Sequence, residues 1–277
     1  MLSLTRRTLT AWTGAASALP MLGLAPAPGD AAPWEQPLTF SDEFDTLSVS
    51  GRGDDTRWSA HTPWHGDFGD AKFVDPGPGF PFSVNNGALT ITAQKDAAGQ
   101  WRSGLLSSTN PDGRGFSQQY GYFETRAKVP AGPGVWPAFW LVGVNRSGAR
   151  VEIDIMEYYG RAPRQFSSSV HVWPHDKGDR ASHDTARTDT GEAPLSDGFH
   201  TFGAEVTPQW TSIYFDRRPV QRFKTPAEHT APLGILVNLA LGSGWPIDKT
   251  PNPSLFLVDY VRVYAPRPTP SPGQPGR

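Results

Sequence analysis

The chain has 277 residues, and its 25 basic and 27 acidic side chains leave a formal net charge of −2, which gives no electrostatic reason to expect nucleic acid or an anionic membrane surface as partner. It has no cysteine, so disulfides, thiol catalysis and thiolate metal sites are excluded. Abundant glycine (29), proline (28) and tryptophan (10) suit many turns and short strands better than helices.

Residues 1–32 read as an export signal. Thr5-Arg6-Arg7-Thr8-Leu9 is a twin-arginine pattern, an Ala/Leu-rich stretch with Trp12 follows, and small residues near Ala25-Pro26-Ala27 and Ala31-Ala32 suit cleavage. The apolar stretch is short and broken by glycine and proline, so no membrane span is expected there, and no later segment is apolar enough to span. The expected product is secreted or periplasmic, exported by the twin-arginine route. About 245 residues would remain, enough for one large core, with a single domain over 33–265.

Within that domain the apolar residues recur mainly with period two. Phe123, Thr125, Ala127 and Val129 alternate with Tyr122, Glu124, Arg126 and Lys128; Thr211, Ile213 and Phe215 alternate with Ser212 and Tyr214; Val261 and Val263 alternate with Tyr260, Arg262 and Tyr264. These are strand patterns. Further strands are expected over 89–93, 151–158, 167–172, 201–206 and 233–241. Turn signals separate them: Asn86-Gly87, Asp112-Gly113, Pro130 to Gly134, Asp197-Gly198 and Asp216 to Pro219. No stretch sustains a helical stripe, so the expected fold is all-β, two stacked antiparallel sheets of sandwich or jelly-roll type, with at most a short helix in a loop. The tail over 266–277 is proline-rich and is expected to be disordered.

The chemistry concentrates in Val151-Glu152-Ile153-Asp154-Ile155-Met156-Glu157-Tyr158. On a strand Ile153 and Ile155 point to one face and Glu152 and Asp154 to the other, with about 6.6 Å between the Cα atoms of the two acids. Three acids crowded on an apolar strand repel one another and raise at least one pKa. Retaining glycoside hydrolysis uses such a set: one ionised carboxylate attacks the anomeric carbon and one protonated carboxyl serves the leaving oxygen, about 5–5.5 Å away. Asp154, between them, can share a proton and keep the two pKa values apart. Strict alternation puts Met156, not Glu157, beside Glu152. Glu157 joins that face only if the strand bulges near Ile155-Met156.

Upstream, Trp136 and Trp140 are four apart and share a face on a regular strand; indole rings make platforms for the apolar faces of sugars, or fill a core. His171 lies on the next expected strand and could bond an acid, bond a sugar hydroxyl, or be a buried structural histidine. His171, His175 and His183 are too loosely spaced for a metal site, and no catalytic metal is expected.

Five segments in order carry a family likeness: Phe40-Ser41-Asp42-Glu43-Phe44, Gly134 to Trp140, Glu152 to Glu157, Asn238 to Trp245 and Val258 to Tyr264. From about Phe40 to Tyr264 the chain resembles glycoside hydrolase family 16, the group of laminarinases, lichenases, agarases and carrageenases. The resemblance implies a jelly-roll with an open concave substrate cleft, Glu152 as nucleophile, Asp154 as assisting acid and Glu157 as acid/base. It places Trp136, Trp140, His171 and Trp245 in the cleft, and it needs no cofactor for catalysis. Met156 resembles the extra residue of the bulged subgroup, which tilts the reading towards β-1,3 linkages. The resemblance also implies a structural Ca²⁺ held by Glu43, the Gly87 carbonyl and Asp259, where the alternative is that the two acids cap strands or pair with arginines.

The stretch from His61 to Phe80 matches no family segment and is expected to shape one side of the cleft, with Trp64 as an extra platform. The implied function is a secreted, monomeric endo-glycosidase acting on β-1,3- or mixed β-1,3/1,4-glucan, its partner a polysaccharide and not nucleic acid or membrane. The alternatives are a depolymerase of a bacterial exopolysaccharide or galactan-type polymer, a transglycosylase, and a non-catalytic carbohydrate-binding protein.

Overall fold

The computed structural model describes residues 31–64, 66–145, 147–175 and 180–268. The expected export signal, apart from Ala31 and Ala32, and the tail beyond Pro268 lie outside the described residues. No helix among the described residues is long and apolar enough to cross a membrane.

In chain order the strands are β1 (Leu38–Asp42), β2 (Val49–Ser50), β3 (Trp58–Ser59), β4 (Lys72–Phe73), β5 (Phe82–Asn85), β6 (Ala88–Lys95), β7 (Trp101–Ser103), β8 (Leu105–Ser107), β9 (Gly121–Lys128), β10 (Val135–Gly143), β11 (Arg150–Tyr158), β12 (Gln165–Trp173), β13 (Ser182–Asp189), β14 (His200–Val206), β15 (Trp210–Phe215), β16 (Arg218–Lys224), β17 (Leu233–Leu241) and β18 (Ser254–Tyr264). One sheet runs β16-β15-β14-β9-β18-β6-β7-β4, with β1 added to β18 and β5 to β6; the other runs β13-β12-β11-β10-β17-β8-β3-β2. The pairings are antiparallel except two short ones, β2 with β3 and β4 with β7. Two short 3₁₀ turns, Pro33–Glu35 and Leu195–Asp197, are the helical elements among the described residues.

The period-two pattern does what it implies. Phe123 and Ala127 of β9 and Val261 and Val263 of β18 face Phe139 and Leu141 of β10 and Ile153 of β11 across one core, the arrangement of two sheets packed face to face. At Asn86-Gly87 both residues have positive φ (52° and 72°) and join β5 to β6 in a two-residue hairpin, the backbone that Asn-Gly favours. The strands that sequence patterning missed include the polar β13, whose side chains lie mostly in solvent, the edge strand β16 and shorter strands such as β1, β5 and the interior β8.

β17 is buried at every position. Leu233, Ile235, Val237, Leu239 and Leu241 face the main core, while Leu236 and Ala240 join Leu105, Ala138, Trp140, Val142 and Phe73 in a second apolar cluster, packed by Phe68 and Trp136. The unmatched 61–80 stretch supplies Phe68 and Phe73. It crosses close over the end of β17: Asp70 N–H bonds the Leu241 carbonyl at 2.9 Å, and a Cβ at Gly69 (φ +73°) would sit 2.5 Å from that same oxygen. A glycine is needed there both for the left-handed backbone and for the close approach. This loop packs over the β17 side of that face and onto Trp136 and Trp140 of β10, and the groove lies beside it over β10 to β12.

Past the last strand, Arg267 clamps Glu205 of β14 through Nε (2.6 Å) and a terminal nitrogen (2.9 Å). Contacts with the sheet thus continue past Tyr264 to Arg267.

Candidate active site

The open part of the sheet forms a groove of about 950 Å³, lined among others by Trp136, Glu152, Asp154, Glu157, His171 and Trp173. β11 reaches it through a bulge. Val151 and Ile153 face the core and Glu152 and Asp154 the groove, but Ile155 and Met156 are then both buried in the core. On one side β10 pairs Trp140 with Asp154 and Phe139 with Met156. On the other, β12 pairs Ser169 with Asp154 and Ser167 with Glu157, so two residues of β11 oppose Ser168 alone. The Ser168 hydroxyl donates to the Ile155 carbonyl at 2.8 Å, satisfying a buried acceptor that the broken ladder sets free. The extra residue returns Glu157 to the groove face.

Each acid then has its own donors. The Trp173 indole N–H donates to Glu152 Oε2 (3.1 Å). His171 Nε2 meets Asp154 Oδ2 at 2.8 Å, and His171 Nδ1 meets His183 Nδ1 at 2.6 Å. Glu157 Oε1 accepts from both the Trp136 indole (3.0 Å) and the Tyr159 hydroxyl (3.0 Å), which leaves Oε2 to carry a proton. Among the described residues, no arginine or lysine forms an ion pair with any of the three. Burial raises the pKa of all three. Glu152 is pushed up to about 8, by burial first and then by the charge of Asp154, against the pull of His171 and Trp173. Asp154 is pushed well up by burial and by Glu157. Glu157 is raised by burial, with Tyr159 and Trp136 holding it back. Such a set resists holding three negative charges at once.

Glu152, Asp154 and His171 also offer ligand atoms within 4.8 Å of one another, a spacing that could take a metal ion. The imidazole Nε2 is bonded to the Asp154 carboxylate and the Glu152 carboxylate to the Trp173 indole, so these atoms are already satisfied as a hydrogen-bonded acid cluster.

The remaining expected residues divide. Trp136 is half-buried in the groove and stacks on Tyr159, with ring centroids 6.0 Å apart. Trp140 lines the groove but is 5% exposed, packed under Phe68 and bonded to Asn238 Oδ1 at 2.7 Å, so it works largely as core. Trp64 is 41% exposed on the groove, its ring 5.9 Å from that of Trp140. Trp245 is not among the groove-lining residues; it is 43% exposed, with the Arg161 guanidinium 3.4 Å above its ring. For the calcium set, both Glu43 oxygens are held by Arg262 (2.9 and 2.7 Å) and Asp259 by Arg126 (2.6 Å). Gly87 sits in the β5–β6 turn. As arranged, the two carboxylates are spent on guanidinium groups, and this donor set does not fit a calcium ion.

Sequence reasoning gave no role to Tyr159, Trp173 or Arg150. The signal was present: Tyr159 follows Glu157 by two, Trp173 follows His171 by two, and Arg150 precedes Glu152 by two, so all three project on the groove face.

Comparison with known proteins agrees with this geometry. The model of the family described as "Glycosyl hydrolases family 16" matches residues 79–262. The endo-1,3-1,4-beta-glycanase ExsH of Rhizobium meliloti (strain 1021) is 35% identical over 82% of this chain and 51% of its own length. A beta-glucanase of Rhodothermus marinus is 31% identical over 85% of this chain and 87% of its own. The chain thus spans about half the length of the first of these relatives. Among solved structures, SCLam, a non-specific endo-beta-1,3(4)-glucanase, superposes with a TM-score of 0.68 at 27% identity, covering 86% of this chain and 94% of that one. The catalytic domain of an endo-1,3-beta-glucanase (laminarinase) from Thermotoga petrophila RKU-1 gives 0.67 at 26% identity, covering 84% and 99%.

Proposed function

The chain belongs to glycosyl hydrolases family 16, and on that premise we propose that it is a retaining endo-β-glucanase cutting β-1,3- or mixed β-1,3/1,4-linked glucan outside the cytoplasm. The observation that supports this most is the β11 bulge, which puts Glu152, Asp154 and Glu157 on one groove face, each with different donors.

Glu152 attacks the anomeric carbon as a carboxylate while Glu157 gives its proton to the departing glycosidic oxygen. A glycosyl ester on Glu152 results. Glu157, now ionised and held by Trp136 and Tyr159, takes a proton from the water that attacks the ester. Asp154, tied to His171, holds a shared proton while Glu152 is ionised, so that the carboxylate leaving the ester meets no second negative charge beside it. These steps use carboxyl groups alone and need no cofactor. Trp136 and Trp64 offer ring faces to the sugars. At the calcium positions, the ion pairs of Glu43 and Asp259 stand in place of a metal. The twin-arginine pattern supports action after export.

The test is reducing-sugar release on laminarin, curdlan, barley mixed-linkage glucan, agarose and an acidic exopolysaccharide, beside Glu152→Gln. The expected outcome is glucan-led activity, β-anomeric first products by NMR, and a loss on the order of 10⁴-fold or more in the variant with binding retained. Near-normal turnover by Glu152→Gln would overturn the assignment. Transfer to added sugars in place of water, seen by sizing products over time, would make it a transglycosylase.

A further inference from the structure

We infer that Arg150, with a side pocket it borders, binds a carboxylate carried on a side group of the polysaccharide, so that the preferred substrate is an acidic, substituted β-glucan; this deepens the function proposed above and rests on it. Arg150 lies on the groove face of β11, two residues before Glu152, about 6.6 Å along the strand. Its one polar contact among the described residues is a 3.4 Å approach of a terminal nitrogen to the Asn145 carbonyl. Arginines elsewhere hold carboxylates: Arg217 on Glu124, Arg262 on Glu43 and Arg267 on Glu205, each through two nitrogens. The guanidinium of Arg150 lies instead 5.9 Å from the Trp64 ring, which steadies its plane and leaves its N–H edge available.

A second, smaller pocket of about 50 Å³ opens here, and Trp64, Val142, Asn145 and Arg150 line both it and the groove. It runs off the groove between Pro63 and the Asn110-Pro111 turn. A space of that size takes a short substituent and not a second sugar chain. A planar fork of donors at its mouth matches a carboxylate. The charge balance points the same way. The groove's acids are Glu152, Asp154, Glu157 and Asp67, and Arg150 is its one permanently charged cation among the described lining residues, beside the titratable His171 and His175. Whichever of these acids are ionised repel an anionic polymer unless a fixed cation meets the anionic group at a defined place.

The experiment compares kcat/KM on carboxymethyl curdlan, on hydroxyethyl curdlan of equal substitution, and on curdlan oxidised at C6, at low salt. The wild type should favour the carboxymethyl over the hydroxyethyl polymer by about tenfold, with the preference shrinking in high salt. In Arg150→Gln the ratio should fall to about 1 whatever happens to the absolute rate, and Arg150→Lys should restore part of it. A wild-type ratio of 1 or below, or a ratio unchanged in Arg150→Gln, overturns the inference. Preference for the C6-oxidised polymer would put the carboxylate in the main chain and overturn the side-pocket assignment. Affinity electrophoresis of Glu152→Gln, with and without Arg150→Gln, on the same polymers separates this inference from the activity. Charge-selective retention that needs Arg150, in a protein that cleaves no glucan, would leave the Arg150 carboxylate site standing and sink the proposed function. Cleavage of neutral glucan without selective retention would do the reverse.

Discussion

The two sheets each bury carboxylates, and they treat them oppositely. On the outer face of the β9 sheet, Glu124 is fully buried, yet it accepts two bonds from Arg217 (3.0 and 2.9 Å) and one each from the Tyr122 and Tyr260 hydroxyls (3.0 and 2.9 Å). Glu205, next to it on β14, has Arg267 and the Tyr214 hydroxyl. On the groove face of β11, three acids stand close together with indole, phenol and imidazole partners and, among the described residues, no guanidinium. A buried carboxylate given a cation and full hydrogen bonding is a structural fixture; one denied a cation is held in a state that resists ionisation, and that is the state acid–base chemistry uses. Arg217 itself sits at positive φ (59°) in the β15–β16 turn, so a tight turn aims the cation at Glu124.

The sharpest way to break this contrast is to neutralise one acid on each face. Glu152→Gln should abolish turnover and yet stabilise the fold. Its folded-state pKa lies above the unfolded one, so the folded form keeps a proton that the unfolded form releases, and stability is lost as pH rises from the ordinary carboxylate range towards about 8. Thermal melts should therefore show the variant gaining on the wild type as pH rises from 4.5 to 8, with no gain at pH 4. Glu124→Gln should do the opposite at neutral pH. It should cost roughly 2 kcal/mol in urea titrations, less than the ~3–5 kcal/mol of a fully buried pair because Arg217 can turn to solvent, while kcat of the folded enzyme holds. Equal signs for the two variants would end the distinction between the faces.

A smaller effect tests the crowding itself. Asp154→Asn removes the repulsion that raises Glu152, so the acidic limb of kcat/KM should move to lower pH. The rate should drop about 100-fold as His171 loses its carboxylate partner. An unmoved acidic limb would assign the raised pKa to burial alone. Smallest is Tyr159→Phe. The hydroxyl favours ionised Glu157, so its loss should raise that pKa and carry the basic limb to higher pH, with kcat down by about tenfold. A basic limb that moves down would show that the hydroxyl donates to something other than the carboxylate.

Strand alternation, the Asn-Gly hairpin and the acid triplet were legible in the chain because each depends on residues within one strand or turn. Alternation alone predicted the groove face of Glu152 and Asp154, and it identified the bulge as the condition for Glu157. Whether the bulge forms was decided by both neighbouring strands, by their register and by the Ser168 hydroxyl that satisfies the freed carbonyl. The polar β13 was invisible because a strand with solvent on its sides shows no apolar period. Tertiary structure alone separated Trp136, open on the groove, from Trp140, covered by Phe68, since the covering loop matches no pattern and is placed by packing. It alone assigned Glu43 and Asp259 to arginines and left Arg150 without a carboxylate among the described residues. The sequence by itself determined which residues could carry charge on a face. Only the fold decided which charges meet, because the partners lie as far as 219 residues apart and an ion pair is set by distance in space.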